Sequence, residues 1–162
     1  MGDDKHPLNS DWVLWYHKPS DKNWGRNSYK KIFEIKTIED FWLIHKKIQA
    51  KHIENGMYFL MRKEIFPLWE DEKNVDGGSW SFKIDKKLSY NSWIEISMSV
   101  LGETVMNDSD LCSNINGISI SPKKGFCILK IWNSDKNKSD KSLLKNDIPY
   151  IKLDGTIYKS HK

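Results

Sequence analysis

The chain has 162 residues, 38% of them apolar, a length that suits a single domain over 1–162 with its own core. No apolar run approaches the ~20 residues of a membrane-spanning helix, the polar Met1–Ser10 segment is read as carrying no signal peptide, and Cys112 and Cys127 lack the number and spacing of a disulfide framework or a zinc site, so an intracellular, reduced protein is expected. The net charge of +4 and pI near 8.9 permit an anionic partner without demanding one, and because Arg26 and Arg62 are the only arginines, phosphate contacts are expected from lysine point charges.

Taken in order, a short N-terminal segment (1–9) ends in His6-Pro7-Leu8 and leads into a strand, Asp11–His17, rich in β-formers. Pro19–Ser28 is polar and contains Gly25, so it reads as a loop, in which Trp24 has no apolar neighbour. Tyr29–Lys36 alternates around Ile32, Phe33 and Ile35 as a second strand. Thr37-Ile38-Glu39-Asp40 has the form of a helix start, with Thr37 as N-cap and an acid three residues on. That helix is expected to run to about Lys51, with Ile38, Phe41, Ile44 and Ile48 on one face and Trp42 on its flank.

Gly56–Lys63 reads as a third strand. In Phe66–Glu72, Pro67 fixes its own φ and pushes Phe66 out of the helical region, which predicts an extended loop with Trp69 beside Glu70, Asp71 and Glu72. Asp76-Gly77-Gly78 is a hairpin-turn signal, and Ser79–Ile84 follows as a strand with Trp80, Phe82 and Ile84 on one face and Ser79, Ser81 and Lys83 on the other. Leu88–Glu103 predicts a second helix with Trp93, Ile96, Ser97 and Val100 as its apolar stripe. Two strands, Ile115–Ser121 and Phe126–Trp132, flank a Pro122–Gly125 turn. Asn133–Asp147 is expected as a short third helix, Ile148–Ile157 as a last strand and 155–162 as a mobile tail. The order of elements is that of an α+β protein, a meander-like antiparallel sheet with helices on one face.

Eight tryptophans exceed what a core of this size needs. Trp12, Trp15, Trp80 and Trp93 are expected to pack the core; Trp24 and Trp69 stand in loops at the mouths of strand pairs. Two indoles can sandwich a flat ring, each stacking contact worth about 1–3 kcal/mol, with more for a cationic ring. A carboxylate such as Glu70 can accept two hydrogen bonds from a guanine-like edge, and lysines beyond it can hold phosphates. His17, His45 and His52 have no acid or cysteine at metal spacing and are expected at the surface, leaving no metal site and no cofactor.

These residues resemble the eukaryotic translation initiation factor 4E family, which binds the messenger-RNA cap. The resemblance runs from His6 to about Trp132 through His6-Pro7-Leu8, Trp12, Leu14-Trp15, Lys22-Asn23-Trp24, Ile38–Trp42, Pro67–Asn74, Gly77–Trp80, Trp93-Ile94-Glu95, Gly102-Glu103 and Ile131-Trp132. It implies a curved antiparallel sheet with about three helices on its convex face and a cap in the concave face. Trp24 and Trp69 would sandwich N7-methylguanine, Glu70 would accept from its Watson–Crick edge, and the Trp69 N–H would donate to O6. Trp132 would contact the methyl group, and Lys123 or Lys124 would meet the phosphates.

On the convex face, His6, Pro7, Leu8, Trp42, Ile94 and Glu95 match the site for a Tyr-x-x-x-x-Leu-φ helix from the scaffold subunit 4G or from 4E-binding proteins. The resemblance further implies a monomeric, non-enzymatic initiation factor of the cytoplasm, and of the nucleus in addition; the alternative is a divergent cap binder that represses or sequesters messages without recruiting the scaffold. An enzyme acting on nucleotides finds no support, since there is no acidic metal cluster, no P-loop and no nucleophile with a base. The departures fall on the phosphate side. Ser121-Pro122-Lys123-Lys124 carries no arginine, Ser79 stands at a position basic in the family, and the C-terminal segment reads as shortened.

Overall fold

In a computed structural model, described for residues 5–162, seven strands form one curved antiparallel sheet in the order β2-β1-β3-β5-β6-β4-β7. The strands are β1 (Pro7–His17), β2 (Tyr29–Thr37), β3 (Met57–Arg62), β4 (Gly78–Asp85), β5 (Ile115–Pro122), β6 (Phe126–Asn133) and β7 (Ile157–Ser160). Three helices accompany them, α1 (Ile38–His45), α2 (Ala50–Asn55) and α3 (Ser89–Leu101). Residues 1–4 of the expected N-terminal segment lie outside the described residues; His6-Pro7-Leu8 is already joined to the sheet, with Pro7 opposite Thr37.

Side chains alternate across each strand, so the sheet separates two apolar clusters. Leu14, Tyr58, Leu60, Trp80, Phe82, Ile118, Ile120, Leu129 and Ile131 meet Phe41, Ile53, Trp93, Ile96 and Val100 of the helices in the main core. On the other face a smaller cluster of Tyr29, Phe59, Met61, Ile65 and Trp132, with Trp15, Met57, Phe66 and Leu68 against it, floors the concave side. The alternation of Trp80, Phe82 and Ile84 against Ser79, Ser81 and Lys83 is observed as expected.

Several expected elements differ. The first helix breaks after His45: Gln49 is extended, its N–H donates to the His52 ring, and it caps a separate α2. The count of three α-helices comes from this break, because Asn133–Asp147 forms no α-helix and holds only a single 3-10 turn, Lys141–Leu143. There the Asn133 amide donates to the carbonyls of Asp135 and Lys138, while Asp135 and Asp140 accept from the N–H groups of Asn137 and Ser142. Such side-chain bonds satisfy the backbone locally and compete with a helix.

The sheet is not a meander either, since β3 pairs with β5 while β4 lies between β6 and β7. Asp76-Gly77-Gly78 is therefore no hairpin turn. Its glycines admit close backbone approach: a Cβ on Gly77 would collide with the Asn133 carbonyl oxygen, and one on Gly78 with that of Lys159. The last strand is Ile157–Ser160 rather than Ile148–Ile157, so the expected tail is an edge strand paired to β4, while Ile148 and Ile151 pack into the core without strand pairing.

His45 is buried rather than exposed. Its Nδ1–H donates to the Phe41 carbonyl at 2.8 Å and its Nε2 accepts from the Trp93 indole at 3.1 Å. Burial holds its pKa below the ordinary value, which suits this neutral, fully bonded ring joining α1 to α3. The Arg62 guanidinium is likewise buried; it pairs with both oxygens of Glu103, donates to the carbonyls of Ile115 and Cys112, and lies over Trp12. No helix among the described residues is long and apolar enough to cross a membrane, and none of their His, Cys, Asp and Glu side chains cluster as metal ligands.

Candidate functional site

On the concave face, a hollow of about 350 Å³ is lined by Trp24, Tyr29, Met57, Phe59, Pro67, Leu68, Trp69, Glu70, Ser119, Ser121, Lys130 and Trp132. Four of the residues singled out from the sequence, Trp24, Trp69, Glu70 and Trp132, are thus brought together. Trp24 and Trp69 are 47% and 46% exposed, unusually high for the largest apolar side chain. Trp132 lies in the floor, buried, with its indole N–H donating to Ser119 Oγ at 3.0 Å.

The Trp69 loop is held by its own side chains. The Asp71 carboxylate accepts from the N–H groups of Phe66 and Lys73 and lies 3.9 Å from Arg26, whose guanidinium also covers the Phe66 ring. Fully buried Asn74 donates to the carbonyls of Phe66 and Leu68 and accepts from Asn116. With Asp71 committed to the backbone and Glu72 outside the hollow, Glu70 is the acid left to meet a ligand. Its carboxylate and the Trp69 N–H have no hydrogen-bond partner among the described residues. Burial and the nearby Glu70 charge push the Tyr29 phenol up to about 12, so Tyr29 stays a neutral donor on that wall.

A second hollow of about 310 Å³ shares Trp69, Lys130 and Trp132 with the first and adds Ser79, Ser81, Lys159, Ser160 and His161. In register, Lys130 lies opposite Ser81 and Ser119, while Lys159 lies opposite Ser79. Small serines next to two lysines leave room for an anion, and no carboxylate lines this end. The Lys130 ammonium titrates below the ordinary lysine value, because it is buried and because Lys123 and Lys159 add like charge. His161 donates from Nδ1 to the Asn74 carbonyl at 2.7 Å, with its ring 5.3 Å from that of Trp132; burial, despite that hydrogen bond, keeps its pKa low.

Lys123 and Lys124 are a correction. Neither lines the paired hollows: both are exposed in the β5–β6 turn, Lys123 reaching only far enough to act on the charge of Lys130, and Lys124 lining a separate surface with Lys83, Asp85, Gly125 and Phe126. The turn carries them beyond the ends of β5 and β6, whereas Lys130 stays on the face of Trp132, two residues away in the same strand. That period-two relation was the available signal for Lys130. Lys159 depends on the pairing of β7, which has no comparable local signal.

A sequence profile described as Eukaryotic initiation factor 4E matches residues 7–162. The chain belongs to the eukaryotic initiation factor 4E family. Among relatives, it is 34% identical over 143 residues to eukaryotic translation initiation factor 4E of Saccharomyces cerevisiae, an alignment that takes in 84% of this chain and 65% of the yeast protein. It thus spans a little under two thirds of that relative's length. Among solved structures, it is similar to C. elegans initiation factor 4E-3 in complex with the 4E-binding protein Mextli and a cap analog (TM-score 0.73, 29% identity, 83% of this chain and 77% of that one). It is also similar to Ascaris suum initiation factor 4E-3 with an m7G cap (TM-score 0.71, 31% identity, 83% and 76%).

The helix-covered face of this initiation factor 4E family member carries the other predicted cluster. Trp42 and Leu43 on α1 are 41% and 52% exposed, whereas Leu8 and Ile94 are partly buried against the core. The His6 backbone N–H and ring both meet Glu39, at 2.7 and 2.8 Å, and the His6 carbonyl accepts from Ile38 N–H, so the chain entering β1 is fixed beside the start of α1. His45 and Trp93 join the helix of Trp42 to that of Ile94 and Glu95.

Proposed function

We propose that this chain binds the N7-methylguanosine 5′ cap of messenger RNA and, through its opposite face, a helical segment of a scaffold subunit or 4E-binding protein. The observation that carries the reading is the meeting of two half-exposed indoles and an unpartnered carboxylate over one hollow, continuous with an anion-ready end that holds lysines and no acid. Trp24 and Trp69 stack on the methylated base, whose positive charge strengthens attraction to an electron-rich indole face. Glu70 accepts from the Watson–Crick edge, the Trp69 N–H donates to O6, and Trp132 touches the methyl group. Lys130 and Lys159 hold the phosphate chain. Nothing in this reading breaks a bond; the protein recognises and hands over. Solved relatives with a cap analog and with an m7G cap support it. The direct test is titration with N7-methylated GTP against unmethylated GTP.

Exposed Trp42 and Leu43 favour recruitment of a partner over silent sequestration. A peptide with the Tyr-x-x-x-x-Leu-φ pattern is expected to bind, and Trp42→Ala to weaken it by about tenfold, as for a central aromatic anchor. Nucleotide affinity is expected to stay unchanged. Calorimetry with peptide and nucleotide in separate titrations checks both; unchanged peptide affinity would remove this surface from the reading.

A further inference from the structure

His17, the last residue of β1, is fully buried, against the surface position expected for it. Its ring lies flat on the Trp24 indole, with centroids 3.9 Å apart and planes within 5°. Its two nitrogens face the carbonyls of Lys18, at 2.9 Å, and Asn23, at 2.7 Å. Whichever nitrogen carries the proton, the ring donates into the segment that carries Trp24. Asn23 fixes the same turn, its N–H donating to Asp21 and its Oδ1 accepting from Gly25 N–H. The other aromatic ring near Trp24 is that of Tyr29, tilted and 6.3 Å away. A half-exposed indole in a polar loop would otherwise have to be ordered by its ligand, at a cost to affinity.

We infer that His17 is a positioning residue for base recognition. Its ring backs one face of Trp24 and ties down the loop before ligand arrives, so that the ligand stacks on the opposite face of a preformed wall. This rests on the cap-binding reading above. Phenylalanine at position 17 would keep the flat backing without the loop hydrogen bond; alanine would keep neither.

The test is calorimetric titration of N7-methylated GTP into the full chain carrying His17→Ala or His17→Phe, each with Trp24 present and with Trp24→Ala, with acrylamide quenching of the unliganded proteins. Loss of the stack and of a loop bond is expected to make His17→Ala about tenfold weaker, with His17→Phe between it and wild type. Both effects should vanish in the Trp24→Ala background, because His17 acts through that indole. The Trp24 share of the fluorescence, taken as the difference from Trp24→Ala, should become more accessible to acrylamide in His17→Ala. An equal loss in the Trp24→Ala background, or no loss in either variant, overturns the inference. If His17→Ala fails to fold, His17→Phe carries the same comparison. Failure of the wild type to bind methylated GTP would count against the cap reading instead, and the quenching arm would then decide the positioning role alone.

Discussion

Trp69→Ala is expected to lower affinity for N7-methylated GTP by roughly 10- to 100-fold, the range that follows from one lost base–aromatic stack, while leaving the melting temperature near that of wild type. The two halves of this expectation have separate physical sources. Trp69 is 46% exposed and belongs to neither apolar cluster, so its removal opens no core cavity. The loop around it is fixed by Asp71 and Asn74, whose bonds to the backbone do not involve the indole. Trp132→Ala would be a poor substitute for the test, because that indole is buried in the smaller cluster and bonded to Ser119. Unchanged affinity in a folded Trp69→Ala protein would contradict the assignment of this loop as a stacking wall.

The second large effect is expected on the phosphates. The double variant Lys130→Ala with Lys159→Ala should lose about a hundredfold or more in affinity for N7-methylated GTP, since each charged hydrogen bond is worth about 1.5–3 kcal/mol. The corresponding monophosphate should lose much less, and the salt slope of triphosphate binding should become shallower by about two, one for each lysine. Lys124→Ala, on a separate surface, should leave both ligands nearly unaffected.

The pH dependence has a definite sign. Burial and neighbouring lysines already disfavour the charged form of Lys130, so its free ammonium deprotonates at a lower pH than an ordinary lysine. The preference for triphosphate over monophosphate should therefore fall as pH rises, beginning below the usual lysine range. The ratio of the two affinities cancels any titration of the base. A preference that survives the double substitution would move the phosphate site elsewhere.

The residues proposed to read the base could be picked out of the sequence because their signals are local. Pro67 ahead of Trp69 forces a loop, and Trp24 stands in a polar stretch with no apolar neighbour in sequence. Glu70 was singled out because it adjoins Trp69, and the resemblance gave it a role; that Asp71 is committed to backbone N–H groups is visible only in the folded loop. The two lysines that line the second hollow were not singled out because a lysine-rich turn draws notice, while Lys130 sits inside an apolar strand and Lys159 is brought opposite Ser79 by a pairing about 80 residues apart in sequence. Strand order failed for the same reason: alternation shows which face a residue takes, not which strand lies next to it. His17 and His45 were placed outside because a histidine can be buried once backbone carbonyls or an indole N–H meet its nitrogens, and those partners are supplied by tertiary structure.

The most direct test of the central claim is a tryptophan-fluorescence titration of the whole chain with N7-methylated GTP and with GTP under identical buffer and salt. The two ligands differ by one methyl group and the positive charge it places on the ring. Strong quenching with the methylated nucleotide and an affinity at least about tenfold above that for GTP is the predicted result, as expected for a cationic ring against desolvated indole faces. Equal affinity for the two would contradict it.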